Sequence, residues 1–167
     1  TLSNGLITMN DVITADYLDV KASGAARLIL NASADVINVQ MKENSSGDFN
    51  VASDSLNLTF KDRIDAKVYA TGQNNTLFMY ENASVKMEGN TALFTVKLYG
   101  NSALKAVEFK AETMLLDIED SPEASIYVID KFELSSKGTA KTSLYGNPKI
   151  TILEFLDTSQ LHKENNQ

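Results

Sequence analysis

The six tyrosines of this 167-residue chain are the side chains best suited to recognising another molecule. Each stands next to an apolar residue in an alternating segment, as in Leu98-Tyr99 and Leu144-Tyr145. Because successive side chains of a β-strand point to opposite faces, burial of the apolar neighbours would turn every tyrosine outward. An exposed tyrosine offers a flat apolar ring with a hydroxyl group, which suits contacts with a sugar or a peptide.

Two pairs of tyrosines are distinguished by their spacing. Tyr80 and Tyr99 are 19 residues apart, and Tyr127 and Tyr145 are 18 residues apart. In a fold that repeats at this interval, each pair could stack on neighbouring repeats. We therefore predict that these four tyrosines contact a ligand. The alternative interpretation is that tyrosine simply suits an exposed strand and gains from contact with its cross-strand neighbour.

Catalytic and metal-binding chemistry has fewer candidates. The single histidine, His162, lies in a polar stretch where nothing would position a general base, and the chain has no cysteine. Four acidic residues lie close together in sequence: Asp117, Glu119, Asp120 and Glu123. Such carboxylates could hydrolyse a glycoside or bind calcium, or they could form a solvated acidic corner. The sequence therefore predicts no catalytic residue, no metal site and no cofactor.

The charge balance limits the classes of partner. The net charge is −7 at pH 7, the pI is about 4.7, and no run of basic residues is longer than a pair. Nucleic-acid binding needs clustered cations that neutralise phosphates, so we expect no nucleic-acid partner. No apolar run approaches the ~18 residues of a membrane-spanning helix, so we predict no transmembrane segment. The sequence begins at Thr1 rather than Met, and we expect that a leader has been removed.

The elements that carry these residues repeat along the chain. Apolar and polar residues alternate nearly throughout, which indicates strands with one buried face. The repeats open on the apolar residues Leu18, Ile37, Leu56, Leu77, Phe94, Leu116, Phe132 and Ile150. Their spacing averages about 19 residues, which is typical of a solenoid whose coils stack their apolar faces.

An antiparallel β-sandwich would also show strands at a regular spacing, and it is the alternative fold. The likeness of Tyr99-Gly100-Asn101 to Tyr145-Gly146-Asn147 favours the solenoid, because repeated coils need repeated turns. We predict an all-β single domain, a parallel β-helix of about seven coils. This domain covers residues 1–157, and a polar tail follows over residues 158–167.

Residues 103–117 carry a competing pattern. Leu104, Val107, Ala111 and Met114 also fall at helical spacing, in a run rich in Ala, Lys and Glu. Read alone, this segment is a plausible helix. The phase of the repeat places two strands there instead, and we predict strands.

Several stretches resemble a known family. Residues 17–20 (Tyr-Leu-Asp-Val), residues 23–28 (Ser-Gly-Ala-Ala-Arg-Leu) and residues 143–150, which contain Tyr-Gly-Asn-Pro, are similar to the GIN domain. This family, also called the autotransporter adhesin head domain, is common in Bacteroidetes-type bacteria. The resemblance covers about residues 5–152. It implies a right-handed parallel β-helix that is exported from the cytoplasm and is periplasmic, attached to the outer membrane or secreted.

The resemblance brings no catalytic residue, because the family has no established activity. We therefore predict a non-catalytic, adhesin-like module that binds a glycan or a cell-surface protein through its outward tyrosines. One alternative is a carbohydrate-active enzyme, a polysaccharide lyase or hydrolase, since parallel β-helices commonly host such activities. Another is a structural spacer that self-assembles as a homo-oligomer through its terminal coils.

Overall fold

The computed structural model describes residues 1–165, and every regular element in this range is a β-strand. The strands are β1 (Leu2–Thr8), β2 (Ile13–Met41), β3 (Ser46–Phe60), β4 (Asp65–Met79), β5 (Ser84–Leu98), β6 (Ala103–Ile118), β7 (Glu123–Ser136), β8 (Lys141–Gly146), β9 (Lys149–Phe155) and β10 (Gln160–Lys163). They pair in the order β1-β2-β3-β4-β5-β6-β7-β8-β10, and β9 pairs with β7. All of these strand pairs are parallel, so the predicted parallel β-helix is confirmed and the antiparallel sandwich is wrong.

Strand β4 shows how one coil is built. Buried and exposed residues alternate from Asp65 to Ala70, the alternation is interrupted at residues 71–74, and it resumes up to Met79. The interruption is a tight bend, at which Gly72 lies so close to the preceding coil that a Cβ would be 1.9 Å from the Ser53 carbonyl oxygen. A four-residue link, residues 80–83, then leads to β5. Each coil thus has a first segment, a tight bend, a second segment and a four-residue wide corner.

The core consists of ladders of apolar side chains that stack from coil to coil. Parallel pairing places Leu58 opposite Leu77, Leu77 opposite Val96, and Val96 opposite Leu116. Four of the largest fully buried side chains are Phe60, Phe94, Phe109 and Phe132, all of which were predicted to point inward. Phe94 and Phe109 meet edge to face with ring centroids 4.9 Å apart. Apolar burial on this scale is the main driving force that holds the coils together.

The wide corners are marked by one residue per coil in the left-handed conformation. These residues are Asn4, Gly24, Glu43, Asp62, Glu81, Gly100, Asp120, Gly138 and Asp157, with φ between 59° and 76°. Successive members are 18 to 20 residues apart, so the structure contains about nine coils rather than the seven predicted. The predicted count began at Leu18 and ended at Ile150, and it therefore omitted the coils that contain β1 and β10.

Backbone pairing explains why acidic residues occupy this corner position. The amides on either side of it donate to the preceding coil, as when Lys42 N–H donates to Ala22 O (3.1 Å) and Asn44 N–H to Gly24 O (3.1 Å). The N–H of Glu43 between them donates instead to Asp62 Oδ2 of the next coil (3.0 Å). A short acidic side chain can thus adopt the left-handed conformation and also satisfy an amide of the preceding coil.

Two segments test the predicted boundaries. Residues 103–118 form β6, so the choice of strand over helix is confirmed. The register shifts between Ala106 and Lys110, which makes this coil one residue longer than its neighbours. The division into a domain over residues 1–157 and a tail over 158–167 stays a prediction, although Gln160–Lys163 forms β10 and pairs with β8. Residues 166 and 167 of that tail lie outside the described residues.

Candidate binding surface at the wide corner

The first residues of successive wide corners lie side by side on the surface. They are Lys42, Lys61, Tyr80, Tyr99 and Glu119, and we call this set the corner row. The backbone fixes their alignment, because each N–H donates across to the preceding coil. Tyr80 N–H donates to Phe60 O (2.9 Å), and Tyr99 N–H donates to Met79 O (3.0 Å). Adjacent members are therefore one strand spacing apart, about 4.8 Å.

The two tyrosines of the corner row stack on each other, as their spacing predicted. The Tyr80 and Tyr99 ring centroids are 5.2 Å apart, and the ring planes are inclined by 10°. The Lys61 ammonium lies 5.2 Å from the Tyr80 centroid, within the range of a cation–π contact. Both rings are partly exposed. They form a continuous aromatic platform with a cation at one end.

The Tyr99 hydroxyl lies in a partly buried setting. Burial, and then the negative charge of Asp117, raise the pKa of this phenol above its ordinary value of 10.0, while the cation of Lys97 opposes the shift. Lys97 and Asp117 form an ion pair of 3.6 Å beside the platform. Tyr99 therefore keeps its proton at neutral pH and can both donate and accept a hydrogen bond.

Tyr127 and Tyr145 form a separate patch with a different geometry. They are directly opposite each other in the register of β7 and β8, on the outer face of the first segment rather than at a wide corner. The Lys110 ammonium lies 5.8 Å from the Tyr127 centroid. Within residues 1–165 this pair forms no ring stack comparable to that of Tyr80 and Tyr99. The four predicted tyrosines all point outward, but the structure divides them between two places.

The carboxylates considered for catalysis do not converge on one point. Asp117 pairs with Lys97, and Glu123 pairs with Lys141 at 3.2 Å. Asp120 Oδ2 accepts the Gly100 N–H at 3.0 Å, which is a structural role at the wide corner. In the part of the chain that the structure describes, no three histidine, aspartate or glutamate side chains are grouped to hold a metal ion.

Sequence reasoning missed two rows of cations. Lys42 and Lys61 extend the corner row beyond Tyr80, and they border a concavity of about 500 Å³ that Lys21 also lines. On the first segments, register pairing joins Lys67 to Lys86 and Lys86 to Lys105. No basic run is visible in the sequence because each row takes one residue per coil. The signal was the 19-residue spacing already used for the tyrosines.

Comparison with known proteins gives the family. A family model described as "Putative auto-transporter adhesin, head GIN domain" matches residues 1–148 of the 167. The chain belongs to this family. The match includes the whole corner row and ends just before β9, so the resemblance seen in the sequence is confirmed.

Membership in the GIN domain family implies an extracellular or surface location and contact with a surface partner. No curated protein and no solved structure matched the chain. Within residues 1–165, the GIN domain has no helix that is long and apolar enough to cross a membrane.

Proposed function

We propose that this GIN domain is a non-catalytic, adhesin-like module that binds a glycan on the aromatic platform of Tyr80 and Tyr99. The observation that carries the proposal is the stack itself, with two near-parallel rings 5.2 Å apart at an exposed edge of the solenoid. Sugar rings present C–H faces that lie well against flat aromatic surfaces, while the phenol hydroxyls supply hydrogen bonds. The core below the platform is continuous, which holds the rings in place without a ligand.

Tyr127 and Tyr145 are proposed to add a second, weaker contact. They lie on later coils and on a different face from the platform. A long surface glycan could touch both patches, and repeated weak contacts would add avidity. A cell-surface protein is the other ligand class for the same tyrosines.

A glycan array with the purified domain tests the proposal. We expect binding of the wild type, and a loss of at least about tenfold in affinity for the double variant Tyr80→Ala/Tyr99→Ala. The matched control is Tyr127→Ala/Tyr145→Ala, which removes the same two side-chain types and should weaken binding by less than about threefold. Circular dichroism checks that each variant is folded.

Two outcomes would contradict the proposal. Equal losses in the two double variants would show that the stack has no special role. Release of reaction products from a bound glycan would favour the carbohydrate-active enzyme, and Asp117→Asn would then test the acidic residues near the platform.

The second candidate function is a spacer that self-associates through its terminal coils. The observation that favours it is an exposed apolar strand. Ile150 and Ile152 continue the ladders of Phe132 and Leu134 but are 41% and 52% exposed, and Leu153 is 65% exposed. Sedimentation velocity over a wide concentration range would detect association, which Ile152→Lys should abolish. A monomer at every concentration would rule this function out.

We further propose that the domain is attached to the outer membrane or secreted, with a removed leader. The family description supports an extracellular or surface location in general terms. Digestion of intact cells by an added protease, followed by detection of the domain, distinguishes a surface site from a periplasmic one. Protection of the domain in intact cells would contradict the surface location.

A further inference from the structure

The concavity beside the aromatic platform collects positive charge in an otherwise acidic protein. Lys21, Lys42 and Lys61 line this space of about 500 Å³, together with the polar side chains of Gln40 and Thr59. The whole chain carries a net charge of −7, so three lysines around one concavity are a local reversal of sign. Lys61 belongs to both features, since it borders the concavity and lies over the Tyr80 ring.

Neighbouring acidic groups neutralise these lysines only in part. Lys42 Nζ is 4.0 Å from Glu43 Oε1, at the limit of an ion pair, and both side chains are mostly exposed. Lys21 pairs with Asp19 at 3.5 Å. Within residues 1–165, Lys61 has no carboxylate partner at ion-pair distance, and its ammonium lies against the tyrosine ring instead.

The nearest corner carboxylates are held by the backbone rather than by the lysines. Glu43 Oε2 accepts the Gly24 N–H at 2.7 Å, and Asp62 Oδ2 accepts the Glu43 N–H at 3.0 Å. These hydrogen bonds direct the two acids toward the corner of the coil. Lys42 and Lys61 meanwhile occupy equivalent positions on adjacent coils, where like charges repel each other. A bound anion between them would relieve that repulsion.

We propose that the ligand of this surface is an anionic glycan, a sugar chain that carries carboxylate or sulfate groups. This inference rests on the proposed function and specifies the ligand class of the same site. One sugar stacks on Tyr80 and Tyr99, and the charged groups of the neighbouring sugars lie against Lys61 and Lys42, with Lys21 at the far side of the concavity. From Lys42 to Tyr99 the corner row spans three coil steps, about 14 Å, so a short oligosaccharide suffices.

An aromatic platform joined to cations distinguishes this ligand from the other candidates. A neutral glycan would use the rings and leave the lysines without a role. An acidic peptide would use the lysines but would not need two coplanar rings. The anionic glycan uses both parts of the corner row, and we therefore favour it over an acidic protein partner.

The experiment compares sugar chains that differ only in charge. The carboxylated probe is oligogalacturonate, and its neutral counterpart is the methyl ester. The sulfated probe is dextran sulfate, and its neutral counterpart is dextran. Calorimetry should give at least about tenfold tighter binding of at least one charged probe than of its neutral counterpart, with the charge-dependent part weakening as salt is raised. The two charged probes tell carboxylate recognition from sulfate recognition.

Matched variants locate the binding. Lys42→Gln/Lys61→Gln should reduce affinity for the charged probe at least about tenfold while leaving affinity for its neutral counterpart unchanged. The control Lys67→Gln/Lys105→Gln removes the same charge from the first segments and should change affinity less than about threefold. Equal losses in both variants would show general electrostatic attraction and overturn the proposed site.

The remaining outcomes separate this inference from the proposed function. If charged and neutral chains bind equally well and both require Tyr80 and Tyr99, the platform is right and the anionic ligand is wrong. If polyglutamate binds as tightly as the charged glycans and does so without the tyrosines, the partner is an acidic protein. If no probe binds and the glycan array is also blank, the proposed function fails together with the inference.

Discussion

The tripeptide Tyr-Gly-Asn occurs twice in the chain, and the two copies occupy different parts of the coil. Residues 99–101 begin a wide corner, where Tyr99 stacks on Tyr80. Residues 145–147 close the first segment at a tight bend, where Tyr145 lies opposite Tyr127 in the strand register. The same three residues thus produce an aromatic platform at one place and a strand-face pair at the other.

The two glycines show why the copies are not equivalent. Both have positive φ, 72° at Gly100 and 88° at Gly146. The position of Gly100 is occupied in other coils by acidic residues in the same conformation, such as Asp62 and Asp120. At Gly146, by contrast, a Cβ would be 1.9 Å from the Val128 carbonyl oxygen, which is a rigid backbone atom. The wide corner therefore tolerates a side chain that the tight bend excludes.

The largest expected effect follows from this difference. Gly146→Ala should lower the free energy of unfolding by about 3 kcal/mol, because the backbone must shift to admit the methyl group in a strained conformation. Gly100→Asp should cost no more than about 1 kcal/mol, since aspartate enters the left-handed region readily and its Cβ would lie 2.9 to 3.0 Å from the nearest backbone atoms, those of Glu81. Urea unfolding measures both. Similar losses would mean that the two turns are equivalent after all.

The sequence predicted the alternation and the period but not the position of each turn within a coil. Outward tyrosines and inward phenylalanines follow from the two-residue period of a strand, and both are confirmed. A period does not say where a coil starts, so Tyr99 and Tyr145 looked equivalent although one lies at a corner and the other on a strand. The extra residue near Ala106–Lys110 further obscures the register between the two copies.

Charge shows the same limit of sequence reasoning. The prediction relied on runs of adjacent basic residues, yet stacking joins Lys42 to Lys61, and Lys67 to Lys86, across one whole coil. The composition correctly indicated an acidic chain. It could not show that the cations collect in rows, because their alignment depends on which residues the backbone pairing places side by side.

The next effect concerns the support below the platform. Asp120 Oδ2 accepts the N–H of Gly100, the residue that follows Tyr99. Asp120→Ala should lower the free energy of unfolding by about 1–2 kcal/mol, because it leaves this amide without its acceptor and puts alanine in a left-handed conformation. Asp120→Asn keeps a carbonyl acceptor and the conformational preference, so it should cost less than about 0.5 kcal/mol. Urea-unfolding midpoints rank the two, and a larger loss in the asparagine variant would contradict this role.

The stack itself should contribute a smaller energy. A double-mutant cycle of Tyr80→Ala and Tyr99→Ala should give a coupling energy of about 0.5–1.5 kcal/mol, as expected for stacked rings. The same cycle for Tyr127 and Tyr145 should give a smaller value within the range of cross-strand pairs, about 0.2–1 kcal/mol. Urea unfolding of the single and double variants provides both values. A larger coupling in the strand pair would show that corner stacking adds no energy beyond register pairing.

The smallest effect distinguishes the two tyrosine pairs by titration. Burial and the nearby Asp117 raise the pKa of Tyr99 above 10.0, so the folded protein holds this proton more tightly than the unfolded chain. Tyr99 thus favours folding at pH values below about 10, and that contribution is lost as the pH rises through the folded pKa. In an alkaline titration followed by phenolate absorbance, Tyr99→Phe should remove a component from the high-pH end, and its stability should fall less steeply above about pH 10 than that of the wild type. Tyr145→Phe provides the comparison for the strand pair, and removal of the same high-pH component by this variant instead would show that the platform does not set the pKa of Tyr99.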